Sequence, residues 1–262
     1  MTSPHAARYV PPVYLIFFGL NILVFVMQCF SGVDPLSPQT SQVIRWGGNL
    51  APFTLTGEPW RLLTSMFLHI GLLHLAANSY MLYVLGGVVE REFGSVRFGL
   101  IYLIAGLFGS LASAALTTSF KISAGASGAL MGIAGACLAH SLVAYLRGEQ
   151  SDSVRLRGPL TQTIILNLVL GANMKGIDNV CHIGGLIAGA AIGLAFAVTR
   201  FDNNVLKRTV SAALISVGFL SLLYAAVSRP PSPQLLQLKQ QLQLELGAKL
   251  PPDNATTTVD IR

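Results

Sequence analysis

Residues 125–146 read GASGALMGIAGACLAHSLVAYL, and residues 181–199 read CHIGGLIAGAAIGLAFAVT. Each is an almost unbroken apolar run of bilayer length, roughly 20 residues. Each also opens on a polar group, Ser127 in the first and His182 in the second. Hydrocarbon offers such side chains no partners, so they must be satisfied inside the protein or serve its chemistry. Small residues recur along both runs: Gly128, Gly132, Gly135 and Ala139 on one, and Gly185, Gly189 and Gly193 on the other. Ridges of this kind let membrane helices approach closely, and they also occur as ordinary helix glue.

The composition places these runs in a membrane. The chain has 262 residues, of which 52% are hydrophobic and 11% charged, against about 25% charged in a soluble domain. The expected fold class is all-α, a polytopic membrane helix bundle. The 17 Lys and Arg exceed the 11 Asp and Glu, but they are scattered through short connections, so no nucleic-acid partner is expected. The three cysteines, Cys29, Cys137 and Cys181, lie in or beside apolar runs and imply no disulfide framework.

Seven spans are expected, over 12–31, 68–89, 98–117, 126–146, 159–172, 181–199 and 209–227. The fifth is short and polar, with Thr161, Gln162, Thr163 and Asn167. The run 13–30 exceeds a signal-peptide core and reads as a retained first span. This divides the chain into an N-terminus over 1–11, a six-span core over 12–199, a linker and seventh helix over 200–228, and a tail over 229–262. Arg8, Arg91, Arg97, Arg147, Arg155, Arg157, Arg200, Lys207 and Arg208 gather at one set of ends. The positive-inside rule then puts the N-terminus in the cytoplasm and the tail outside, with the cell membrane the expected location. On this topology Ser127, His182, His74 and Asn78 all approach the outer side.

The connection 31–67 is rich in Gly and Pro, which argues against a further span, and Trp46 and Trp60 suit the headgroup region. Past Pro233, the stretch Gln234 to Leu246 reads as one short amphipathic helix, and the last dozen residues read as disordered. Asn254-Ala255-Thr256 matches a glycosylation acceptor, a pattern frequent by chance.

The polar groups suit acyl transfer. Gly125 and Gly128 clear space around the Ser127 hydroxyl, and a helix N-terminus there offers free N–H groups to an anion. A neutral His182 can accept the serine proton. The two glycine ridges would bring the side chains within a hydrogen bond of about 3 Å. His74 and Asn78 are four apart and share a face. Together with the Ser127 N–H they could serve an oxyanion, or they could simply bond to neighbouring helices. Cys181, His69 and His74 lack the usual metal-ligand spacing, so no metal or other cofactor is expected.

These residues bring the chain to a family. Over about residues 12 to 199 it resembles the rhomboid intramembrane serine proteases. The resemblance runs through Trp60-Arg61, His69, His74-x-x-x-Asn78, Gly86-Gly87-Val88-Val89-Glu90, Gly125-Ala126-Ser127-Gly128, Gly176-Ile177-Asp178-Asn179 and His182-x-x-Gly185-x-x-x-Gly189. It implies a Ser127–His182 dyad, with His74, Asn78 and the Ser127 amide on the oxyanion. It also implies membrane-spanning protein substrates entering laterally beside spans two and five, and a six-helix core plus a C-terminal seventh helix. Met131 stands where many members carry an aromatic against the catalytic His. Asp178 falls in a loop position with a structural role. Arg61 and His69 are expected to shape the first loop by hydrogen bonds, Glu90 to anchor the inner end, and His140 to make a helix contact near the inner face. Two other classes stand beside the protease: a non-catalytic binder of membrane proteins and a small-solute transporter. The latter would need a repeat or an intramembrane carboxylate that the spans lack.

Overall fold

The computed structural model describes residues 12–117, 121–149, 152–174, 176–200 and 205–248. The expectations for the N-terminus over 1–11, for Asn254-Ala255-Thr256 and for the last dozen residues lie outside these. Seven long helices dominate: α1 Pro12–Phe30, α5 Leu72–Phe93, α6 Ser95–Leu116, α7 Ser127–Leu146, α8 Asp152–Asn173, α9 Asn179–Arg200 and α10 Val205–Val227. Three short helices, α2 Thr40–Arg45, α3 Ala51–Thr54 and α4 Arg61–Thr64, and a 3-10 turn Ser65–Phe67 fill the loop between α1 and α5; α11 Pro233–Ala248 follows α10. Among the described residues the only β pairing is an isolated antiparallel bridge between Asn49 and Ser123.

Six of the long helices, α1, α5, α6, α7, α9 and α10, are long and apolar enough to cross a membrane. The chain is a multi-pass integral membrane protein. The second span is displaced from its expected bounds: Gly71, at φ 96°, turns the chain, and α5 starts only at Leu72. Helix α8 is longer than the expected 159–172 but less apolar, because its first two turns carry Asp152, Arg155 and Arg157 and Pro159 sits inside it. Its polar side chains bond back along the helix, Thr161 to the Arg157 carbonyl, Thr163 to that of Pro159 and Asn167 to that of Thr163, so they need no outside partner. Helix α11 packs on α3, which belongs to the loop that follows α1. Two segments on one face of a membrane are separated by an even number of crossings, and α8 must be counted with α5, α6, α7, α9 and α10 to give it.

Helix α7 is the most deeply buried span and α10 the most exposed. The small residues of α7 let α6 and α9 close on it. A Cβ on Gly193 would meet the Ala136 backbone, and one on Gly135 would meet the Leu186 carbonyl. Around this centre the core includes Tyr102, Phe98, Met131, Ile133, Ile192 and Phe196. Phe17 of α1 stacks on Tyr102 of α6 at 4.1 Å between ring centroids. At the start of α1, the buried Glu90 carboxylate accepts the Tyr14 N–H at 2.9 Å, the Val13 N–H at 3.3 Å and the Ser95 hydroxyl at 2.6 Å. It satisfies free donors of the α1 N-terminus with a charge the helix dipole favours. A Cβ on Gly86 would lie 2.7 Å from Tyr14 Cβ, so the α1–α5 contact also requires glycine there. His140 lies beside this cluster, its ring 5.0 Å from Phe93 and its Nδ1 3.8 Å from Glu92 Oε2.

Candidate active site

Ser127 is the first residue of α7, and the chain reaches it through a turn that only glycine adopts readily. Gly125 has φ 121°, in the left-handed region that L side chains avoid. Its N–H donates to the Ser65 carbonyl at 2.8 Å, tying the turn to the loop before α5. At the head of a helix, the Ser127 N–H has no intrahelical acceptor.

His74 and Asn78 come from the first two turns of α5 and point at the same turn. A Cβ on Gly125 would lie 2.8 Å from His74 Nε2 and 3.3 Å from Asn78 Nδ2, so the absence of a side chain leaves room for both. His74 Nδ1 accepts the Ile70 N–H at 3.3 Å. That bond assigns the ring proton to Nε2, the nitrogen facing Gly125. Asn78 is buried and its Nδ2 has no hydrogen-bond partner among the described residues. An orphaned amide donor in a buried site is costly unless something arrives to accept from it.

His182 enters from α9. Asp178 precedes that helix and caps it: its Oδ1 accepts the Cys181 N–H at 3.0 Å and its carbonyl accepts the His182 N–H at 3.1 Å. Asn179 Nδ2 donates to the Leu168 carbonyl at 2.9 Å and ties the same end to α8. His182 is buried, with Nδ1 unpartnered among the described residues. The backbones of α7 and α9 touch along the glycine ridges: a Cβ on Gly185 would strike the Gly128 carbonyl, one on Gly189 that of Gly132, and one on Gly128 would lie 2.7 Å from Cys181 Sγ. Residues 127–128 and 181–182 are therefore neighbours across this interface. Among the described residues no hydrogen bond joins the Ser127 hydroxyl to His182, so the bond of about 3 Å expected from the ridges is not formed here.

The first loop supports this arrangement. Arg61 is buried, donates to Glu58 Oε2 at 2.7 Å and to the carbonyls of Ile44 and Gly48 at 2.6 and 3.1 Å, and lies between the Phe53 and Trp60 rings. The expected hydrogen-bonding role of the His69 ring falls instead to its backbone, whose N–H donates to Gln28 Oε1 at 3.3 Å; the ring packs edge-on against His74 at 5.3 Å. Met131 is buried in the core.

Several supporting residues escape a reading of motifs. Gln28 and Asn21 are buried on α1, and Asn49 donates to the Ser110 carbonyl at 2.7 Å while accepting from Thr54 Oγ1 at 2.7 Å. The signal for the first pair was available: two amides seven residues apart share a face of an otherwise apolar helix. Asn49 lies in a loop without periodicity and carried none.

The family model described as the Rhomboid domain matches residues 56–199. The protein named rhomboid protease GluP from Bacillus subtilis is 37% identical over 238 residues, covering 89% of this chain and 44% of its own length. Rhomboid protease AarA from Providencia stuartii is 30% identical over 255 residues, covering 90% of this chain and 89% of its own. RHOMBOID-like protein 5 from Arabidopsis thaliana is 42% identical over 139 residues, 52% of this chain and 44% of its own. The chain thus spans less than half of the Bacillus relative and most of the Providencia one. With more than half its length inside the family model, this chain belongs to the rhomboid family.

Proposed function

We propose that the protein is an intramembrane serine endopeptidase that cuts membrane-spanning helices of other proteins through a Ser127–His182 dyad. The observation that carries this reading is the approach of His74 Nε2 and the unpartnered Asn78 amide to Gly125, two residues before Ser127 at the head of α7. Protease names among the relatives support it from a second direction.

In this mechanism His182 removes the Ser127 proton as Oγ attacks the scissile carbonyl. The oxyanion is held by His74, Asn78 and the Ser127 amide, and His182 then protonates the leaving amine. Water, activated by the same His182, hydrolyses the acyl-enzyme and regenerates Ser127. Gly128, Gly132, Gly185 and Gly189 serve the chemistry indirectly, by letting α7 and α9 approach. Clients enter beside α5 and α8, whose Leu73, Tyr80, Ile165 and Val169 face outward. Helices that unwind easily are preferred, because a helical peptide bond hides its carbonyl. The N-terminus is cytoplasmic and the site opens toward the outer face of the cell membrane, in line with the distribution of basic residues.

The test is cleavage of single-span substrates by purified protein in liposomes, comparing wild type with Ser127→Ala and His182→Ala. Loss of product in both variants, with folding retained, is the expected result. Binding without cleavage by folded wild type, across several easily unwound substrates, would overturn it in favour of a non-catalytic client binder.

A further inference from the structure

Helix α11 lies outside the matched domain, yet it packs on the loop between α1 and α5. Lys239 Nζ sits 3.0 Å from Glu58 Oε1, donates to the Thr56 carbonyl at 3.2 Å and lies 5.8 Å from the centre of the Phe53 ring. Leu242 and Leu246 follow Lys239 on the same face and pack into a small apolar cluster of Ile44, Leu50 and Phe53. Ile122, from the segment just before the nucleophile, packs into that same cluster. A polar route runs alongside. Glu58 holds Arg61, Arg61 holds the Gly48 carbonyl, and the next residue, Asn49, exchanges backbone hydrogen bonds with Ser123 at 3.0 and 2.8 Å. Two residues beyond Ser123 is Gly125, whose turn sets Ser127.

We infer that α11 is a positioning element for the nucleophile. By clamping the first loop through Lys239, Leu242 and Leu246, it fixes Asn49 and Ile122 and thereby the turn 123–126. Lys239 is a positioning residue and touches no reacting atom. The polar and apolar routes converge on the same four-residue turn, so a shift of the first loop must move it. The inference rests on Ser127 as the nucleophile, and the test is arranged to separate the two.

Full-length Lys239→Met, Lys239→Arg and Leu242→Ser proteins are compared with wild type by hydrogen exchange and by substrate kinetics. Both tryptophans of the chain, Trp46 and Trp60, lie in this loop, so their emission reports its state without reference to proteolysis. In Lys239→Met and Leu242→Ser, amide exchange over residues 121–126 should rise roughly tenfold while the α6, α7 and α9 core stays protected. Tryptophan emission should shift, and kcat should fall roughly tenfold with KM little changed. Lys239→Arg should restore all three. Unchanged exchange over 121–126 in both loosened variants would overturn the inference, as would raised exchange with unaltered kcat. A wild type that cuts nothing would sink the protease reading alone, and exchange would still decide whether α11 orders the turn.

Discussion

Gly189 packs its backbone directly on Gly132: a Cβ on Gly189 would fall on the Gly132 carbonyl and Cα, with no side chain there to turn aside. Gly189→Leu should therefore force α7 and α9 apart, at a cost of about 1–3 kcal/mol or more. Cleavage should drop steeply although neither glycine is chemical. Gly218 on α10 is the control, because a Cβ there meets nothing within 4 Å. Gly218→Ala should leave activity intact and hold or raise thermal stability. Full activity in folded Gly189→Leu would refute the close-approach argument.

Asp178 acts as the cap of α9, and its substitutions should sort accordingly. Asp178→Ala removes the acceptor for the Cys181 N–H and should cost about 0.5–2 kcal/mol. Asp178→Asn keeps a side-chain oxygen there and should lose only a fraction of that. Equal losses in denaturation by both variants would mean that charge, and not capping, is what matters.

Glu90 joins the start of α1 to the end of α5. Glu90→Ala leaves two half-buried N–H groups without that acceptor, at a cost below the about 1–3 kcal/mol of a fully buried unsatisfied group. Limited proteolysis near residue 12 should accelerate, and Glu90→Gln should be intermediate because one acceptor oxygen survives. Unaltered proteolysis in Glu90→Ala would show that α1 is held by apolar packing alone.

Glu58 gives the docking of α11 a pH dependence. Burial works against its charge, but bonds and attraction from Arg61 and Lys239 outweigh this and hold the carboxyl below its ordinary 4.5. Because the folded value is the lower one, the stabilisation is complete above about 4.5 and is lost as the pH falls through the folded value. Tryptophan emission should be flat from neutral pH to about 5 and change on further acidification. The acid change should be absent from Glu58→Gln. A transition centred near pH 6 would exclude Glu58 as its source.

Much of this was legible in the chain. Helix positions follow from apolar runs of bilayer length, and the spacing of His74 and Asn78, or of Gly185 and Gly189, assigns them to shared faces. These are local properties, set by a helical period and by what hydrocarbon tolerates. Legibility failed where polarity and span conflict. The charged first turns of α8 look like a loop, and only continuous backbone hydrogen bonding and the position of α11 make it a full-length helix and a crossing.

The sequence by itself determined the membrane class, the approximate spans, the family resemblance and the residues with chemistry to offer. Only the tertiary structure decided that Glu90 caps α1, that Asn49 pairs with Ser123, that the Asn78 amide is left unpartnered beside Gly125, and that Lys239 reaches Glu58. Each of these joins segments far apart in the chain. Such contacts are fixed by how packed helices and loops fall in space, and no period in the sequence encodes that geometry.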